Sequence, residues 1–89
     1  MKRQHHPLYE IRTDGRTVWI NATDGLIGRF SPLGIDVHAN PGSHEHCLDC
    51  RSVKQLVDPW AVFVLSMREH HNVVLGKSMQ PEWSKHANG

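Results

Sequence analysis

Apolar and polar positions alternate along the first half of the chain and fall at three- and four-residue intervals in the second. Leu8 to Arg12 alternates, Asp14-Gly15 is a tight-turn signal, and Thr17-Val18-Trp19-Ile20-Asn21 is rich in β-formers, which predicts a β-hairpin. A second Asp-Gly at Asp24-Gly25 leads into Leu26-Ile27-Gly28-Arg29-Phe30. After Ser31-Pro32, the run Gly34-Ile35-Asp36-Val37-His38 also reads as extended. The N-terminal half is therefore expected to be a meander of three or four strands. Residues 39–45 are turn formers without periodicity, a loop that delivers the chain to His46-Cys47-Leu48-Asp49-Cys50.

Beyond the loop, a short helical turn is read at Ser52 to Val57, and Asp58-Pro59 then makes a helix start. Aspartate can cap the free N–H groups, proline suits the first helical position, and Val57 with Val62 fits a hydrophobic staple. The main helix is placed at Pro59 to His71, with Asn72 as its C-terminal cap. Trp60, Phe63, Val64, Met67 and one of His70 or His71 form its apolar stripe, while Arg68 and Glu69 face away. Val73-Val74-Leu75 reads as a short strand or packed tail, and Gly76 onward as loosely ordered despite Trp83. The expected fold is α+β, an antiparallel sheet covered by one main C-terminal helix, in a single domain over 1–89 with an ordered core at about 8–75.

Composition narrows the function classes. The chain has 89 residues, 38% of them apolar, which allows one modest core and makes additional fastening valuable. Ten Lys and Arg stand against nine Asp and Glu and are scattered rather than clustered, so no dedicated nucleic-acid surface is evident. No apolar run has the roughly 18 residues of a membrane span, and the N-terminus lacks the apolar core of an export signal. A cytoplasmic location is expected. Eight His are the compositional oddity, each a potential metal ligand.

The most informative motif is Cys47-Leu48-Asp49-Cys50. Two thiolates separated by two residues can face one tetrahedral metal site, for which zinc needs about two further ligands. His38, His44, His46, His70 and His71 are the candidates, and a set of Cys47, Cys50, His38 and His70 (or His71) would tie strand, loop and helix together. Two other readings stand beside zinc: an incidental cysteine pair among unrelated histidines, and a redox pair. A thioredoxin-like pair sits at a helix start in a βαβ unit, whereas a His-rich loop precedes this one, which counts against thiol-exchange catalysis. His5-His6 is read as part of a loose terminus.

Asp36 and His38, two apart on a strand, should share one face, with Ile35 and Val37 on the other. A carboxylate beside an imidazole can hold a metal or orient a base. With His70, His71 and Asn72 at a helix end, the pair invites comparison with ββα-metal nucleases, although the fixed spacings of those enzymes are missing. Arg29, Phe30 and Trp19 could stack on bases, but Trp19 and Phe30 also fit a buried sheet face.

The combination of Val18-Trp19-Ile20-Asn21, Gly28-Arg29-Phe30, Gly34-Ile35-Asp36-Val37-His38, Cys47-Leu48-Asp49-Cys50 and Glu69-His70-His71 resembles a group of small uncharacterised bacterial and phage proteins, over about residues 18–73. Ser31-Pro32 departs from the group's pattern. The resemblance implies that Asp36, His38, Cys47, Cys50 and His70 act together. It also implies an accessory protein that binds and inhibits a host protein or protein–nucleic acid complex, an anti-CRISPR being one concrete form. The functional expectation is thus a non-enzymatic, zinc-stabilised binding module. The alternative is a metal-dependent nuclease using Asp36 and His38.

Overall fold

Residues 9–41 and 47–86 are described by the structure, a computed structural model. Five strands, β1 (Tyr9–Thr13), β2 (Val18–Ala22), β3 (Gly25–Ser31), β4 (Gly34–Val37) and β5 (Arg51–Ser52), form one antiparallel sheet in sequential order. The helix α1 (Pro59–His71) packs against it, so the fold is α+β as the patterning predicts. No helix among the described residues is long and apolar enough to cross a membrane.

The turns follow from their residues. Asp14 Oδ1 accepts the N–H groups of Arg16 and Thr17, both at 2.9 Å, while Gly15 takes φ 90°, a conformation that side chains disfavour. Pro32 and Leu33 make the turn between β3 and β4, with Ser31 Oγ accepting from Leu33 N. The Ser31-Pro32 departure is therefore a hairpin turn, and Phe30 stays in register with Ile35.

One face of the sheet is the core. Val18, Ile20, Phe30, Ile35 and Val37 are all 1% exposed or less, and they meet Trp60, Phe63 and Met67 from α1. Phe30 is the aromatic hub, with ring centroids 5.1 Å from Trp60 and 5.5 Å from Phe63. The opposite face carries Arg12, Trp19, Arg29 and Asp36 as one cross-strand row. Trp19 thus does not share the buried face with Phe30. It pairs with Arg29, whereas Val18 pairs with Phe30, and strand alternation separates the two rings.

The helix is capped as read: Asp58 accepts from Ala61 N at 3.3 Å, Pro59 is the first helical residue, and Asn72 closes the end at φ 55°. Val57 stands 84% exposed instead of stapling Val62. The segment expected to be loosely ordered is packed. Lys77–Met79 and Glu82–His86 form 3-10 turns, Trp83 stacks on Phe30 at 5.1 Å, and its Nε1–H donates to the Arg16 carbonyl at 2.7 Å. This tail closes the end of the core that α1 leaves open. The other addition is β5, whose two polar residues carry no alternation that a sequence reading could detect.

Candidate metal centre

The centre is built at the end of β4 and in the turn after the loop. A β-bulge in β3 sets up its first half. The register with β2 slips between Ile20 and Asn21, so that Leu26 and Gly28 pair while Ile27 is the extra residue. Ile27 O then accepts His38 N at 3.0 Å, and Leu26 O lies 3.3 Å from His38 Nδ1. With the ring proton on Nδ1, the Leu26 carbonyl accepts it and Nε2 carries the lone pair, the arrangement common in metal-ligating histidines. His38 is completely buried.

The Cys47–Cys50 turn is fastened to the β4 edge by its main chain. Leu48 N and Asp49 N both donate to Val37 O, at 2.7 and 3.3 Å, and Val37 N donates to Asp49 O at 3.1 Å. Cys47 bridges His38 directly. The turn is keyed to the rest of the fold by Asp49: its carboxylate accepts from Arg51 Nε at 2.7 Å and Nη2 at 3.1 Å, and from the hydroxyl of Ser66, a buried residue of α1. The Arg51 hydrogen bonds hold the Asp49 carboxyl below the usual carboxylate range, with Ser66 and the nearby His70 acting in the same direction against partial burial.

Asp36 is held from the other side. Arg29, its cross-strand partner, donates from Nε at 3.0 Å and Nη2 at 2.8 Å, both to Oδ2. The outcome of these constraints is that one ligand atom from each of Asp36, His38, Cys47 and Cys50 lies within 4.8 Å of the others. Zinc–ligand bonds of about 2.0–2.3 Å place tetrahedral ligand atoms about 3.3–3.8 Å apart, so the widest separation has to close by about 1–1.5 Å while the two bonded sulfurs part. Two sulfurs, an imidazole nitrogen and a carboxylate oxygen are a donor set and a number that suit zinc. Cys47 and Cys50 are joined by a disulfide in this structure, with Cα atoms 6.0 Å apart, so metal binding by this set requires the reduced pair.

Of the residues singled out from sequence, Cys47, Cys50, His38 and Asp36 converge. His70 is outside the cluster, exposed on the last turn of α1. His71 supports the site without entering it: its Nε2–H donates to the His38 carbonyl at 2.6 Å. His5, His6, His44 and His46 lie outside the described residues. The resemblance groups Asp36 with His38 and the cysteines, whereas the ligand set read from spacing places His70 (or His71) in the position that Asp36 occupies in the cluster. The sequence reading also misses Arg29, Asp49 and Ser66 as the groups that position the ligands. Arg29 had a usable signal, because once Pro32-Leu33 is taken as the turn, Arg29 and Asp36 fall opposite each other.

Beside the cluster, the uncovered sheet face forms an open groove of about 650 Å³ lined by Trp19, Arg29, Asp36, Cys50, Arg51 and Gln55 among others. Cys50 therefore stands at the wall of a solvent-accessible depression, with His38 sealed behind it. No protein-family model, no curated protein and no solved structure matches the chain.

Proposed function

We propose that the chain is a non-enzymatic binding module whose sheet is fastened by zinc through Asp36, His38, Cys47 and Cys50 when the two cysteines are reduced. The observation that carries this reading is the convergence of four ligand atoms of zinc-like type within 4.8 Å. The supports around them have the character of a metal site's outer shell: a backbone carbonyl on the imidazole and a guanidinium on the carboxylate. Binding zinc joins β4 to the cysteine turn, which adds folding free energy to a chain with one small core. Four protein ligands leave no open coordination position, which suits a structural ion rather than one that activates water.

The surface offered to a macromolecular partner is the uncovered sheet face, where Trp19 and the arginines line the groove and Leu33 is 85% exposed. A nuclease reading of Asp36 and His38 is less well supported, because a base that activates water has to reach it and the His38 side chain is completely buried.

The test is native mass spectrometry of the reduced protein with and without one equivalent of zinc, with thermal melting before and after chelator. One zinc per chain, a chelator-induced fall in Tm and loss of both in His38→Asn are expected. Failure of the reduced wild-type protein to take up zinc would sink the reading. Cleavage of plasmid or single-stranded nucleic acid, lost in His38→Ala, would replace it with the enzymatic alternative.

A further inference from the structure

The same two sulfurs serve two arrangements. They are bonded to each other in this structure, and they are also half of the four-atom cluster. Both cysteines are exposed, whereas the histidine of the set is completely buried. Exposed, paired thiols are the part of a metal site that an oxidant reaches first. We infer that the centre is a redox switch, in which a peroxide converts the zinc-bound dithiolate of Cys47 and Cys50 to the disulfide and releases the ion. The inference rests on the zinc reading above and adds regulation to it.

Cys50 lines the groove, so its thiolate is the sulfur presented to an incoming peroxide. Attack of that thiolate on one peroxide oxygen breaks the O–O bond, forming a sulfenic acid on Cys50 and expelling hydroxide. The Cys47 thiolate then attacks the Cys50 sulfur, the S–S bond forms, and a second hydroxide leaves. Two electrons pass from the two thiolates to the peroxide, and the two hydroxides are protonated to water. Asp36 and His38 alone remain as ligands, too few to retain zinc.

The backbone is prepared for both states. The hydrogen bonds from Leu48 and Asp49 to Val37, and the Asp49 clamp to Arg51 and Ser66, are present with the disulfide formed and use neither sulfur. The turn therefore stays on the β4 edge while the sulfurs exchange partners. What changes is the cross-link: zinc ties the turn to Asp36 and His38, whereas the disulfide ties Cys47 only to a residue three positions away. Oxidation should keep the fold, release the metal and lower thermal stability, and a reductant with zinc should restore all three.

The experiment treats the zinc-loaded, reduced full chain with hydrogen peroxide. It follows zinc release with a chromogenic chelator, free thiols by titration, and covalent mass. The expected result is one zinc released and two thiols lost per chain, with a mass decrease of two hydrogens, reversed by reductant. Cys47→Ser should accumulate a sulfenic acid on Cys50, trapped by a dimedone-type reagent at least tenfold more than in Cys50→Ser. Zinc that binds stoichiometrically but stays bound through thiol oxidation overturns the switch and leaves the zinc reading intact. So does release accompanied only by irreversible oxygen addition. A reduced chain that never binds zinc overturns both.

Discussion

Gly34 sits where β4 meets β5, and its missing side chain determines how close the cysteine turn can come. A Cβ built there would run into the Arg51 carbonyl oxygen and lie 3.0 Å from Ser52 Cα, main-chain atoms that cannot rotate aside. Gly34 pairs with Ser52, and Arg51 directly follows Cys50, so separating the strands displaces one of the cluster's ligands. Overpacking of this kind costs about 2–3 kcal/mol, the upper part of its usual range because backbone must move. Alanine returns about 0.5–1 kcal/mol by restricting the unfolded chain. The net loss expected for Gly34→Ala is about 1–2.5 kcal/mol, which for a domain of this size lowers Tm by roughly 10 °C.

Urea and thermal unfolding of the reduced, zinc-free protein measure that loss, and a zinc titration against a competing chelator reports the ligand displacement. Gly76→Ala is the control. Its Cβ would meet only Ser78 Oγ at 3.9 Å, with an ordinary φ of −85°, so only the unfolded-chain gain of about 0.5–1 kcal/mol is expected, a stabilisation. Gly34→Ala melting at or above the wild-type temperature would refute the close β4–β5 approach. Loss of stability with unchanged zinc affinity would refute the coupling between that approach and the metal centre.

Two further outcomes test other parts of the fold. Trp83→Ala removes the ring stacked on Phe30 and the bond to the Arg16 carbonyl, and should cost about 2–3 kcal/mol in urea unfolding, less than a fully buried Trp because Trp83 is half-buried. An unaffected midpoint would mean the tail does not close the core. The Asp14 carboxylate accepts the Thr17 and Arg16 amides, which lowers its pKa in the folded chain. Its stabilising contribution is therefore complete above its unfolded value of about 3.9 and is lost as pH falls through the lower folded value. An NMR titration placing Asp14 at or above the unfolded value would refute this, and Asp14→Ala should flatten the acid limb of the stability profile.

Local chemistry made much of the architecture readable. Asp58, Pro59 and Asn72 mark the helix because capping is a short-range event, and the alternation of Ile35 and Val37 against Asp36 separates core from open face because strand geometry has a period of two. Trp19 misled for the same reason in reverse. Two β-formers in successive strands share a face only if the register matches, and the bulge at Ile27 offsets that register by one residue. The packing of the tail is invisible to patterning because the Phe30–Trp83 stack joins residues far apart in sequence and leaves no periodic trace. At the site, the cysteine spacing and the Asp36-x-His38 pair were each legible, but their convergence depends on pairing between Val37 and Asp49 across a loop. The helical histidines are equally eligible by spacing, and only the geometry separates His71, bonded to the His38 carbonyl, from His38, whose ring joins the cluster.

The placement of these supports bears on what the centre can do. Asp49 sits between the two cysteines in sequence, yet its carboxylate is committed to Arg51 and to Ser66 on the helix rather than to the cluster. A turn fixed only by its ligands would lose its position whenever the ion left, and rebinding would then require the chain to reorder. Here main-chain bonds to Val37 and the Asp49 clamp hold the turn independently of the sulfurs. The clamp therefore makes a testable distinction between a permanent staple and a reversible one. Asp49→Ala should cost about 1–3 kcal/mol from the lost charged hydrogen bonds and the unsatisfied Ser66 hydroxyl. It should also slow zinc recovery after reduction more than it lowers the affinity of the loaded form. Equal recovery rates in the variant and the wild type, followed by stopped-flow with a zinc-responsive dye, would mean that the turn's position is supplied by the metal itself.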